Sequence, residues 1–79
     1  MSVIAAYILI QAEAGQAAIV ATALRGVPGV SEAASLAGPC DVIARGQAPD
    51  IDQLAGLVTS RVQVLDGVRQ TMTCPVVHL

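Results

Sequence analysis

Hydrophobic and polar positions alternate in blocks along the chain, and the period changes from block to block. Residues 3–11, "VIAAYILIQ", form an unbroken apolar run rich in β-branched residues, with the one aromatic, Tyr7. The run is short for a helix and predicts a strand buried on both faces. In 12–26, "AEAGQAAIVATALRG", the period becomes helical: Ile19, Ala23 and Leu24 share a face, with Val20 beside them. Its alanines favour helix, and Gly26 with Pro28-Gly29 stops it. Residues 30–37, "VSEAASLA", predict a second strand, Gly38-Pro39 a turn, and 41–48, "DVIARGQA", a third strand paired to the second as an antiparallel hairpin.

Residues 49–67 carry the clearest helical pattern. Asp50 is placed as N-cap with Gln53 three residues on, and Asp52 lies in the first turn. Leu54, Leu57, Val58, Arg61, Val62 and Leu65 recur at spacings of three and four, an apolar stripe carrying one Arg. Asp66-Gly67 closes the helix. Residues 68–79 predict a fourth strand, with Pro75 marking a bend or an edge. A faint repeat underlies this order. Pro28-Gly29-Val30 and Asp66-Gly67-Val68 both close a helix and open a strand, 38 residues apart, and the first and third strands also begin 38 residues apart. The expected fold is α+β and ferredoxin-like, a single βαββαβ domain over 1–79. Its four-stranded antiparallel sheet carries both helices on one face. The first strand is apolar on both sides, so the other face needs cover. A second copy supplies it, packed sheet to sheet or edge to edge as a dimeric α+β barrel.

Composition strengthens the case for assembly. The 79 residues are 54% hydrophobic and 13% charged, against about 25% charged in an average globular chain. A core of this size is marginal alone. The two cysteines, Cys40 and Cys74, sit in a chain with no signal-peptide pattern, so reduced thiols and a cytoplasmic location are expected. Two Cys and one His (His78), with no CxxC, do not make a metal site, and no cofactor is implied. No apolar run reaches the ~18 residues of a membrane span. Four Arg, no Lys and a net charge of −2 argue against direct nucleic-acid binding. Arg without Lys in an alanine-rich chain fits a GC-rich bacterial genome.

Three pieces of sequence carry a resemblance: Pro28-Gly29-Val30 after the first helix, Gly38-x-x-Asp41 before the third strand, and Gly67-Val68-x-x-Thr71-x-Thr73 opening the fourth. In this order within βαββαβ, the chain from Val3 to about Val77 resembles the effector-binding domain (RAM domain) of the Lrp/AsnC regulators. The resemblance implies a transcription-regulating module whose dimers join through their sheets and associate into rings, commonly octamers. It also implies that amino acids or similar small effectors bind in clefts between dimers. Family members usually carry an N-terminal helix-turn-helix, whereas this chain starts two residues before its first strand. A stand-alone form is therefore expected, able to co-assemble with full-length relatives. The residue before the family Asp is often aromatic; here it is Cys40.

The ligand-binding candidates are Gly38, Pro39, Cys40, Asp41, Arg69, Thr71 and Thr73. Asp41 is either a turn residue bonding nearby backbone N–H groups or an acceptor for a ligand's ammonium. Gly38 is a turn glycine that would let a ligand approach the backbone, and Pro39 stiffens that loop. Thr71 and Thr73 share a face of the last strand, through β-propensity or to aim hydroxyls at a ligand. Arg69 is expected on that same face, either solvated or forking onto a carboxylate. Arg45, on an apolar strand, is a candidate to cross a subunit interface, and Arg61 to lay its stem along the core edge. Cys40 and Cys74 are taken as small hydrophobes, Tyr7 as core or interface, and His78 as exposed. No catalytic residue is assigned. A small monooxygenase-like enzyme of the same topology would need a buried base or polar pocket, and no nucleophile–base pair stands out. An ACT-like regulatory domain, the other alternative, would place a glycine-rich turn directly after the first strand, where Gly15 stands alone.

Overall fold

The computed structural model describes residues 3–38 and 40–77. Six regular elements follow the expected order: β1 (Ile4–Ala12), α1 (Ala17–Arg25), β2 (Val30–Ser35), β3 (Val42–Ala48), α2 (Ile51–Leu57) and β4 (Val68–Pro75). The sheet order is β2-β3-β1-β4, antiparallel throughout. This is the ferredoxin-like βαββαβ arrangement, and β2–β3 is the expected hairpin.

Alternation along β1 sets the two layers. Ala6, Ile8, Ile10 and Ala12 are buried under the helices, while Tyr7, Leu9 and Gln11 point to the opposite face. On β3, Val42 and Ala44 join the core, and Ile43 and Arg45 lie opposite Leu9 and Tyr7. Val20, Ala21 and Leu24 come down from α1, and Leu54, Val58 and Val62 from the second helix. Each large aliphatic side chain buried here contributes about 1.5–3 kcal/mol. The molecule measures 39 × 25 × 17 Å. Its thin dimension is one helical layer over one sheet, so nothing among the described residues covers the second face.

The face expected for α1 is corrected. Ile19 is 59% exposed and Ala23 is exposed. The helix begins at Ala17, and its sheet-facing stripe runs 17, 20, 21, 24. Gly26 ends the helix in a right-handed conformation, and its N–H bonds the Ala23 and Leu24 carbonyls. The reversal itself falls at Gly29.

The internal repeat is real in three dimensions. The Val30 N–H bonds the Val27 carbonyl at 3.1 Å, and the Val68 N–H bonds the Leu65 carbonyl at 3.2 Å. The third residue of each turn is a glycine at positive φ, +96° at Gly29 and +91° at Gly67, as a type II turn requires. Each turn also packs on the helix of the other half. A Cβ at Gly29 would stand 3.2 Å from Leu57 Cδ2, and one at Gly67 3.1 Å from Val20 Cγ2.

The second helix starts as expected. Asp50 Oδ1 accepts the Gln53 N–H at 2.8 Å, and Gln53 Nε2 donates back to Asp50 Oδ2 at 3.2 Å. After Leu57 it widens into a π turn, Val58–Val62, with the Gln63 N–H reaching the Val58 carbonyl at 2.8 Å. The hydroxyls of Thr59 and Ser60 bond carbonyls in the turn below. Arg61 is exposed, and the buried stripe passes through Val58 and Val62 instead. The strands end earlier than the sequence pattern suggests, β2 at Ser35 and β4 at Pro75. His78 lies outside the described residues.

Among the described residues, no polar or charged side chain is buried, none of the helices is long and apolar enough to cross a membrane, and no cluster of three or more His, Cys, Asp or Glu could hold a metal ion.

Candidate functional site

The βαββαβ topology brings three connections to one end of the sheet: β1 to α1, β2 to β3, and α2 to β4. Asp41 stands where they meet. Its N–H bonds the Ile10 carbonyl at 3.0 Å, continuing the β1–β3 ladder. The next outward rung would need an acceptor for the Ala12 N–H, and β3 has already turned away. Asp41 Oδ2 takes that place at 2.9 Å. The Asp41 carbonyl also accepts the Leu36 N–H at 2.7 Å, closing the β2–β3 loop. The carboxylate thus holds backbone, as one of its two readings has it, but the partner is 29 residues away rather than in its own turn.

A second link ties the β1–α1 connection to β4. The Glu13 N–H bonds the Gly67 carbonyl at 2.7 Å. The Glu13 carboxylate lies 3.9 Å from Arg69 Nε, with both side chains about three-fifths exposed. Such an exposed pair contributes at most about 1 kcal/mol. The β1–β4 register explains why Arg69 is there. Ala12 pairs with Val68 and Gln11 with Gln70, so Arg69 is the extra residue of a β-bulge. It does not continue the alternation that unites Thr71 and Thr73, which corrects the shared face expected for all three.

Two hollows flank this end of β4. One, of about 350 Å³, lies on the uncovered sheet face between Leu9, Gln11, Cys40, Gln70, Thr71 and Met72. The other, of about 390 Å³, is polar and lies between Gln63, Val68, Arg69, Gln70 and Thr71. Gln70 and Thr71 belong to both. Gln63 Nε2 donates to Thr71 Oγ1 at 3.0 Å, so the residue that ends the π turn fixes the hydroxyl between the two hollows.

Of the sequence candidates, Cys40 lines the first hollow, Arg69 the second and Thr71 both, with Asp41 next to Cys40. Thr73 is apart: it faces a shallow hollow with Ile51, Leu54 and Val58 under the second helix. Gly38 is exposed, with open space where a side chain would stand. Pro39 lies outside the described residues. Arg45 is half-buried on the uncovered face, where its guanidinium donates to Gln47 Oε1 at 3.4 Å. Tyr7 is 42% exposed on the same face, so it is not a core residue of this chain. Cys74 is exposed opposite Tyr7. Sequence reasoning missed Leu9, Gln70 and Met72, which strand alternation could have given, and Gln63, which no helical periodicity across a π turn could give.

A βαββαβ sheet with two helices on one face, an uncovered second face and polar groups gathered at one end of an edge strand defines a small ferredoxin-like domain with a candidate binding site. The family model for the Lrp/AsnC ligand binding domain matches residues 5–78, and the chain belongs to that family. Among solved structures, TTHA0845 from Thermus thermophilus is 29% identical, with a TM-score of 0.88 over 96% of this chain and 95% of that one. E. coli AsnC is 21% identical (TM-score 0.87), with 96% of this chain matching 52% of AsnC. The transcriptional regulator NMB0573 from Neisseria meningitidis, solved as a complex with L-Met, is also 21% identical (TM-score 0.83; 95% of this chain, 50% of the regulator). The likeness to the last two is one of fold. No curated protein matches the chain significantly by sequence.

Proposed function

We propose that this domain binds an amino acid or similar small effector at the β4 end of its sheet and, as an oligomer, serves transcriptional regulation of metabolism without chemistry of its own. The observation that carries the reading is the pair of hollows at the start of β4 that have Gln70 and Thr71 as common walls. Arg69 is a cation for a ligand carboxylate, held only by an exposed contact to Glu13. Thr71 offers a positioned hydroxyl. Asp41 has spent one carboxylate oxygen on Ala12, and the other is available to an ammonium.

The uncovered face fits a second copy of the chain. Tyr7, Leu9, Ile43 and Met72 supply apolar area, and Glu32 faces Arg45 in register. Two copies related by a two-fold axis bury this face against itself. Rings of such dimers, octamers by family analogy, complete the clefts. Co-assembly with full-length Lrp/AsnC regulators would dilute DNA-binding domains in a ring and weaken multivalent binding to DNA. A cytoplasmic setting goes with this role.

Calorimetric titration of the amino acids into the wild-type chain and into Arg69→Gln tests the site. Loss of a charge-assisted hydrogen bond is expected to weaken binding at least about tenfold. Unchanged affinity in Arg69→Gln would remove Arg69 from the site, and absence of binding by any amino acid would refute the effector class.

A further inference from the structure

We propose that Arg25 closes the β2 edge of the sheet to strand addition, and so keeps copies of this chain from joining edge to edge without limit. The sheet has two free edges, β2 and β4. These strands are counterparts in the internal repeat, 38 residues apart, and they match in detail. Each carries a bulge at its start: Ser31 is the extra residue of β2, as Arg69 is of β4. Each is also clasped by a side chain eight residues earlier, at the end of the preceding helical segment. Arg25 reaches Ala33, and Gln63 reaches Thr71. The clasps differ in what they hold. Gln63 bonds a side-chain hydroxyl, whereas the Arg25 Nε–H donates to the Ala33 backbone carbonyl at 3.1 Å.

That carbonyl belongs to the open edge. The Leu36 N–H bonds the carbonyl of Asp41 opposite it. Alternation along an antiparallel ladder then turns the N–H and C=O groups of Ser35 and Ala33 away from β3. A strand added to β2 needs the Ala33 carbonyl as an acceptor, and a guanidinium already holds it. On β4 the Val76 N–H bonds the Ala5 carbonyl, so the same alternation turns Pro75, Thr73 and Thr71 outward. Pro75 has no N–H to offer there, but among the described residues no side chain takes the Thr71 or Thr73 carbonyl. One edge is closed and the other is open. With β4 alone open, edge pairing stops at two copies around a two-fold axis. With both open, β4 of one copy adds to β2 of the next, and a head-to-tail contact of this kind repeats without closing.

The test is assembly mass, measured by sedimentation across a range of protein concentrations, for the intact chain and its variants. Arg25→Met keeps the apolar stem and removes the donor and the charge. Its mass is expected to climb with concentration without reaching a plateau, because losing a charge-assisted bond favours strand addition at least about tenfold. Adding Ser35→Pro to that variant removes an outward N–H without breaking the ladder, and is expected to restore the wild-type mass. A bond that only fastens α1 to β2 would lower the stability of Arg25→Met and leave its mass unchanged, which would overturn the inference. Growth that Ser35→Pro does not suppress would overturn it too. Ser35→Pro alone is expected to keep the wild-type mass and circular dichroism. A fall in mass with the fold retained would show the β2 edge already in use, and would refute the inference even if Arg25→Met does not fold.

Discussion

Asp41 joins structure and candidate site in one side chain. One oxygen replaces a missing rung of the β1–β3 ladder, and a bond from a backbone N–H to a carboxylate is worth about 1.5–3 kcal/mol. Asp41→Ala is therefore expected to lower unfolding free energy by roughly 1–3 kcal/mol. Asp41→Asn keeps an acceptor oxygen and should lose less. Urea denaturation of the two variants measures the difference; equal losses would mean that the bond to Ala12 carries no stability. The sequence shows Asp41 at the lip of a strand, which is why a turn role and a ligand role both suggest themselves. It does not show Ala12 as the partner, because strand pairing alone brings the two together. Arg69 escapes the sequence pattern for a related reason. Alternation puts it with Thr71 and Thr73, and only the register across β1 reveals the bulge.

At the scale of elements, the two halves of the chain repeat one device. A helix ends, a glycine at positive φ turns the chain, and the turn rests on the other half's helix. A non-glycine residue in that conformation costs about 1–2 kcal/mol, and at both sites an added Cβ also meets a side chain closely. Gly29→Ala and Gly67→Ala are each expected to destabilise by at least about 1 kcal/mol, measured by chemical denaturation. Unchanged stability at either would contradict the turn geometry. The helices are legible in their polar punctuation, Asp50 with Gln53 above all, and less so in their faces. Ile19 looks like a core residue because it is a large aliphatic in an alanine-rich segment, yet the stripe follows where the helix begins. Val20→Ala, at a fully buried site, is expected to cost about 1–3 kcal/mol. Ile19→Ala is expected to change the stability of the separate chain by no more than about 0.5 kcal/mol. The π turn leaves no trace in the apolar period, and with it goes Gln63.

For the whole molecule, the governing fact is one layer of helices on a sheet whose other face is also apolar in part. The unbroken hydrophobic run of β1 signals this without any geometry, since a strand with one wet face alternates. Ile43 and Leu9 lie side by side at the centre of that face. Ile43→Glu, which puts a charge there, is expected to shift the sedimentation coefficient to that of a single chain without loss of helical circular dichroism. An unchanged coefficient would place the assembly surface elsewhere. Native mass spectrometry of the wild-type chain, alone and with each amino acid, weighs the central claim most directly, because one spectrum counts both copies and ligands. The account predicts an even-numbered oligomer that gains ligand mass with at least one amino acid. A single chain that takes up none of them would contradict it.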